Sequence, residues 1–217
     1  MTKIKFCGIT RPEDAELAVS AGAWAIGLIF WPRSPRRCRF ETATEIAAAA
    51  KRRVEVAGVF VNATLDHVAA TADAVGLTLL QLHGDEGPAY CAEAARRTGC
   101  KVIKAARVRS GADVRGLAAF HTDYHLLDSY TAGVPGGTGE TFAWELARAH
   151  RARVPMILSG GLNPENVADA IAAVEPFAVD VASGVERSPG HKDPEKLAAF
   201  AAAVRAAQAV HMGSAAR

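Results

Sequence analysis

Along the 217 residues, short β-branched and apolar runs alternate with longer stretches whose apolar positions recur at helical spacing. The runs predict strands over 4–7, 25–30, 54–61, 77–82, 102–106, 125–128, 154–158 and 178–182. Between and after them the spacing and cap residues predict helices over 11–21, 43–52, 65–75, 88–98, 112–120, 142–148, 163–174 and 194–207. Eight strand–helix units in about 200 residues fit a closed α/β barrel of the (β/α)8 type. An open doubly wound sheet shares the alternation, but it would carry a G-x-G-x-x-G turn after its first strand, where this chain has Cys7-Gly8-Ile9-Thr10.

No Pro/Gly/Ser-rich linker or charge block divides the chain, so one domain over 1–210 is expected, with 211–217 as a flexible tail. Half of the residues are hydrophobic and mean hydropathy is +0.07, enough for a sizeable core. With 25 Lys+Arg against 23 Asp+Glu the formal net charge is +2, which lacks the basic face that nucleic-acid binding needs. No apolar run approaches the roughly 18 residues of a membrane span, and no cleavable leader is expected. Cys7, Cys38, Cys91 and Cys100 form no C-x-x-C pair, so reduced thiols in a cytoplasm are expected rather than zinc or disulfides.

In a barrel the chemistry gathers at the C-terminal ends of the strands, and the unusual residues of this chain fall there. Cys7 ends the first run, at a strand-to-helix turn where helix N–H groups favour a thiolate; the alternative is an inert thiol. Asp128 directly follows a buried apolar strand, where desolvation favours a protonated carboxyl able to act as a general acid; capping of the next turn is the alternative. The pairs Gly160-Gly161 and Ser183-Gly184, after strands seven and eight, offer backbone N–H groups to a phosphate, with Asn163-Pro164 as a simple helix start beside them. Gly137 and Gly139, in a glycine-rich stretch after strand six, read either as a closing loop or as passive surface. Four arginines crowd 33–39, and one of them, Arg36, is assigned to an anion. Gln81 and His83 lie at the end of strand four as candidate substrate-binding residues, His83 reading as a pocket hydrogen-bonder, a catalytic partner or a turn residue.

Together, Lys5-Phe6-Cys7-Gly8-Ile9-Thr10, Ser34-Pro35-Arg36, Gly58-Val59-Phe60-Val61-Asn62, Gln81-Leu82-His83-Gly84, Leu126-Leu127-Asp128, Gly136-Gly137-Thr138-Gly139, Leu158-Ser159-Gly160-Gly161-Leu162-Asn163-Pro164 and Val179-Asp180-Val181-Ala182-Ser183-Gly184-Val185-Glu186 resemble the phosphoribosylanthranilate isomerase family of tryptophan biosynthesis, in order and spacing. The resemblance implies a (β/α)8 barrel and an Amadori rearrangement of a small phosphoribosyl substrate, without cofactor or metal. It implies Asp128 as general acid, Cys7 as general base, Arg36 on the anthranilate carboxylate, and the Gly160-Gly161 and Ser183-Gly184 turns on the phosphate. It further implies a cytoplasmic enzyme, monomeric or as the alternative homodimeric. Trp24 stands where family members usually carry a polar or small residue, at the strand end away from the chemistry. A histidine-pathway aldose isomerase is the nearest alternative, but an aspartate is expected there in place of Cys7. A silent phosphate-binding barrel would have no need of both Cys7 and Asp128.

Overall fold

The computed structural model describes residues 1–128, 144–150 and 152–215, the side chains of 210–215 excepted. Eight parallel strands close into a barrel in sequential order: β1 (Lys3–Cys7), β2 (Ala25–Ile29), β3 (Glu55–Phe60), β4 (Leu79–Leu82), β5 (Lys101–Arg107), β6 (Tyr124–Asp128), β7 (Met156–Ser159) and β8 (Ala178–Val181). The helices are α1 (Pro12–Ser20), α2 (Phe40–Ala50), α3 (Leu65–Val75), α4 (Pro88–Thr98), α5 (Gly111–Gly116), α6 (described over 144–147), α7 (Val167–Val174) and α8 (Pro194–Ala215). The closed topology removes the doubly wound alternative.

Helix ends follow local chemistry where the residues supply it. The Thr64 hydroxyl accepts the His67 N–H at 3.3 Å to start α3, and Gly76 ends it at φ 76°. Pro88 opens α4 and Gly99 closes it, so both helices match the ranges predicted from sequence. α2 begins at Phe40, earlier than the expected 43, because its cap residue Arg39 carries no side-chain acceptor that sequence could register. α7 begins at Val167 because the Asn163 carboxamide first accepts the N–H groups of Glu165 and Asn166, making a separate turn. The seventh strand starts at Met156 and not at 154, since Pro155 has no N–H for the ladder. After β8 a short turn leads into a two-stranded hairpin, β9 (Glu186–Ser188) and β10 (His191–Lys192), too brief to leave a periodic signal.

Two hydrophobic layers hold the barrel. Outside, Phe6, Ile26, Leu28, Phe60, Leu80, Leu127 and Leu158 meet helix residues such as Ile46, Val68 and Phe200. Each such side chain contributes about 1.5–3 kcal/mol on full burial. Inside, Ala25, Ala57, Leu79, Ile103, Leu126, Ile157 and Ala178 form a separate cluster. Trp24, Tyr124 and Phe177 pack against that cluster, with Trp24 edge-on to the other two at 5.3 Å. Trp24 therefore closes the end of the barrel remote from the strands' C-termini. Closure pairs β1 with β8 and sets Lys5 opposite Asp180, across 175 residues of sequence.

One buried pair makes the fold sensitive to acid. His125 Nε2 faces the Phe120 carbonyl at 3.0 Å and so carries the proton, leaving Nδ1 to accept from His150 Nε2 at 3.0 Å. Burial lowers the pKa of both rings. The folded state then holds fewer protons than the unfolded chain, so the contribution is complete above the unfolded value near 6.5 and is lost as pH falls below it. The thermal midpoint is expected to drop on acidification through this range, and to drop less in His150→Gln, as calorimetry at several pH values would read. An equal drop in the variant would remove the pair as the cause.

Candidate active site

At the C-terminal mouth of the barrel lies a cavity of about 290 Å³. It is lined by Cys7, Arg36, Gln81, His83, Asp128, Ser159, Gly160, Gly161 and Ser183, with Asp180 beneath them. Most of the candidate residues read from sequence thus converge on one space. Gly184 lies beside it and does not line it: a Cβ there would strike the Leu162 carbonyl oxygen, so this glycine lets the two phosphate-side loops touch. Gly137 and Gly139 fall outside the described residues.

Cys7 ends β1 with its side chain turned into the barrel. A Cβ built on Gly27 would stand 2.8 Å from Cys7 Sγ and 3.1 Å from Lys5 Nζ, which places thiol and ammonium side by side. This corrects the expectation that helix N–H groups favour the thiolate, because α1 begins only at Pro12. Burial pushes the Cys7 thiol above its ordinary pKa, and the opposing pull comes first from Lys5 and then from Lys192. Lys5 is itself fully buried and pairs with Asp180 at 2.8 Å. Despite burial, its pKa is raised, by Asp180 and then by Cys7. Asp180 also receives the Ser159 hydroxyl at 3.3 Å.

Asp128 ends β6 with its side chain 19% exposed, at the rim of the cavity. Its Oδ2 meets His83 Nε2 at 3.2 Å, while His83 Nδ1 meets Gln81 Nε2 at 2.8 Å. The amide can only donate there, which puts the imidazole proton on Nε2, toward Asp128. Gln81 in β4 and His83, one residue past its end, are two apart on a run that His83 continues by donating its N–H to the Phe60 carbonyl, so both side chains take the same face and form a relay behind the acid. Gln81 Oε1 is buried without a hydrogen-bond partner among the described residues.

Arg36 comes from the loop after β2, shaped by the Ser34 hydroxyl accepting the Arg36 N–H at 3.1 Å. Arg33 and Arg37 line a different cavity beside Phe30 and His67, so Arg36 is the arginine of the 33–39 group that faces Cys7 and Asp128. The turn after β7 needs glycine twice, at φ 97° in Gly160 and 65° in Gly161. Asn62, just beyond β3, and Lys104, in the middle of β5, serve architecture: Glu86 accepts the Asn62 N–H at 2.7 Å, the Gly84 N–H at 2.9 Å and Lys104 Nζ at 2.9 Å.

Lys5, Asp180, Glu186 and Lys192 received no role from the sequence. A usable signal was present for the first two, each a charge inside an otherwise apolar strand, Ile4-Lys5-Phe6 and Val179-Asp180-Val181. Such a charge must point to the barrel interior and find a partner.

A closed barrel that gathers a thiol, a carboxyl, a guanidinium and a glycine turn around one small cavity is a (β/α)8-barrel enzyme organised for acid–base chemistry on an anionic substrate. Comparison with known proteins sharpens the class. The family model for N-(5′-phosphoribosyl)anthranilate (PRA) isomerase matches residues 4–203, and the chain belongs to that family. The N-(5′-phosphoribosyl)anthranilate isomerase of Citrifermentans bemidjiense is 51% identical over 197 residues, covering 91% of this chain and 94% of that protein. The crystal structure of the Thermotoga maritima phosphoribosyl anthranilate isomerase superposes with a TM-score of 0.86 at 41% identity, covering 95% of this chain and 100% of that one. A family structure in complex with reduced 1-(o-carboxyphenylamino)-1-deoxyribulose 5-phosphate superposes with a TM-score of 0.82 at 37% identity, over the same shares.

Proposed function

We propose that the protein converts N-(5′-phosphoribosyl)anthranilate to 1-(2-carboxyphenylamino)-1-deoxyribulose 5-phosphate in tryptophan biosynthesis, with Asp128 as general acid and Cys7 as general base. The observation that carries the residue roles is that both line one cavity, from strands separated around the ring, with an anion-binding group at either end. Asp128 delivers a proton to the furanose ring oxygen as the C1′–O bond breaks and the anilino nitrogen forms the Schiff base. Cys7, as thiolate, then removes the proton from C2′, and the electron pair moves toward nitrogen to give an enolamine that tautomerises to the ketone. His83, itself held by Gln81, orients the Asp128 carboxyl. Lys5 offsets part of the burial cost of the thiolate.

In this reading the phosphate sits against backbone N–H groups of the Gly160-Gly161 turn and the turn beginning at Ser183, and the carboxylate sits on Arg36. Fixing both ends sets the ribose between acid and base. A sugar hydroxyl donating to Gln81 Oε1 would satisfy a buried acceptor that has no partner among the described residues. Four free cysteines fit a cytoplasmic setting, and among the described residues no helix is long and apolar enough to cross a membrane.

Loss of anthranilate fluorescence from freshly generated substrate tests the reading. The wild-type protein is expected to turn it over, and Arg36→Ala to raise KM about ten- to a hundredfold, the worth of a charge-assisted contact of about 1.5–3 kcal/mol. No turnover by the wild type would overturn the reaction, and an unchanged KM in the variant would overturn the role of Arg36.

A further inference from the structure

Arg36 does not enter the cavity as a free cation. Its Nε lies 2.9 and 3.0 Å from the two carboxylate oxygens of Glu186, and its Nη2 lies 2.7 Å from Oε2. The Glu186 side chain is 4% exposed, and it is held in turn from the other side. Lys192 Nζ reaches Glu186 Oε1 at 3.0 Å, and the Gly190 N–H reaches the same oxygen at 3.3 Å. The fully buried Lys192 also donates to the carbonyl oxygens of Cys7 at 2.6 Å and Ala182 at 3.0 Å. All three of its protons are thereby used. Burial alone would raise the Glu186 pKa, but Arg36 and Lys192 overcome it and hold the carboxyl below its ordinary range. The Arg36 stem is fixed as well, since it crosses Gly8 so closely that a Cβ there would stand 2.8 Å from Arg36 Cδ.

We infer that Glu186 is a positioning residue for substrate: it grips the Nε/Nη2 edge of Arg36 so that the Nη1/Nη2 edge alone is offered to a carboxylate in the cavity. A guanidinium has two edges that can each hold a carboxylate bidentately. Glu186 occupies the side edge, and of the five N–H groups three remain, two of them on the end edge, coplanar and pre-aimed. A bound carboxylate then does not have to freeze a long flexible side chain. The β9–β10 hairpin acquires a purpose in this account. It brings Lys192 under Glu186 and ties the same lysine to the backbone of Cys7, so the carboxylate clamp and the general base share one anchor.

This inference rests on the reading that Arg36 holds the anthranilate carboxylate, and the experiment separates the two. Steady-state turnover of phosphoribosylanthranilate is measured for the wild type, Glu186→Gln, Arg36→Ala and the double variant, with Glu186→Asp as the conservative replacement. Glu186→Gln is expected to raise KM about tenfold, with a smaller change in kcat, as loss of one charged hydrogen-bond partner would give. The double variant is expected to be no worse than Arg36→Ala, since a residue that acts only through Arg36 has nothing left to position. Glu186→Asp is expected to recover part of the KM loss. If Glu186→Gln does not fold, Glu186→Gln/Lys192→Met removes the buried cation with its partner and carries the same KM measurement. An unchanged or lowered KM in Glu186→Gln, while Arg36→Ala raises it, would overturn the inference alone. So would a further KM increase from Glu186→Gln in the Arg36→Ala background. An unchanged KM in Arg36→Ala would overturn the carboxylate reading beneath it.

Discussion

Replacing Cys7 by serine is expected to lower kcat by about 10²–10⁴-fold, the range lost when a positioned acid or base is removed, with little change in KM. Serine keeps the size and the polar tip, so the packing against Gly27 and Lys5 is retained and the thermal midpoint should hardly move. What changes is acidity. The arrangement around Cys7 matters only for a group that ionises: Lys5 and Lys192 oppose the burial that pushes the thiol up, and neither can bring an alcohol to its anion at a working pH. The Lys5–Asp180 pair beneath it is a costly feature in a barrel interior, because two charges lose their hydration there. A purely packed barrel would place apolar side chains at these positions. Fluorescence-monitored turnover decides the matter, and a Cys7→Ser variant within a few-fold of wild type would take the base role away from Cys7.

Asp128→Asn is expected to reduce kcat over the same range, about 10²–10⁴-fold, again with KM nearly unchanged. The substitution is close to isosteric, and the carboxamide oxygen can still accept from His83 Nε2, so the Gln81–His83 relay should stand. The amide has no proton to give to the ring oxygen. Turnover and a thermal scan on the same preparation read both halves of the expectation. A large kcat loss with an unaltered midpoint fits a general acid, whereas a parallel loss of stability would mean that Asp128 mainly supports the β6 end. A kcat near the wild-type value would transfer the proton delivery elsewhere in the cavity.

How far the chain could be read before folding depended on how local each signal was. α3 and α4 were legible to the residue because Thr64, Gly76, Pro88 and Gly99 act within one helical turn of the ends they set. The start of α7 was not, because the Asn163 side chain can serve either a helix or a preceding turn, and only neighbouring contacts select between them. Cys7 and Asp128 stood out as reactive types at strand ends, and Arg36 as one in the loop after β2. Their surroundings did not: the expected helix N-terminus at Cys7 is a buried lysine, and no spacing signal pairs Asp128 with His83 across 45 residues.

By itself the sequence determined the alternation of eight strands and helices, the closed-barrel class and the glycine turns, since each follows from periodicity or from backbone conformations that few residues adopt. Tertiary structure alone decided which charges meet. Lys5 finds Asp180 across 175 residues, Arg36 finds Glu186 across 150, and Lys192 finds the Cys7 carbonyl across 185. Pairings over such distances carry no spacing signal, because they exist only once β8 has closed against β1 and the β9–β10 hairpin has folded over the seam.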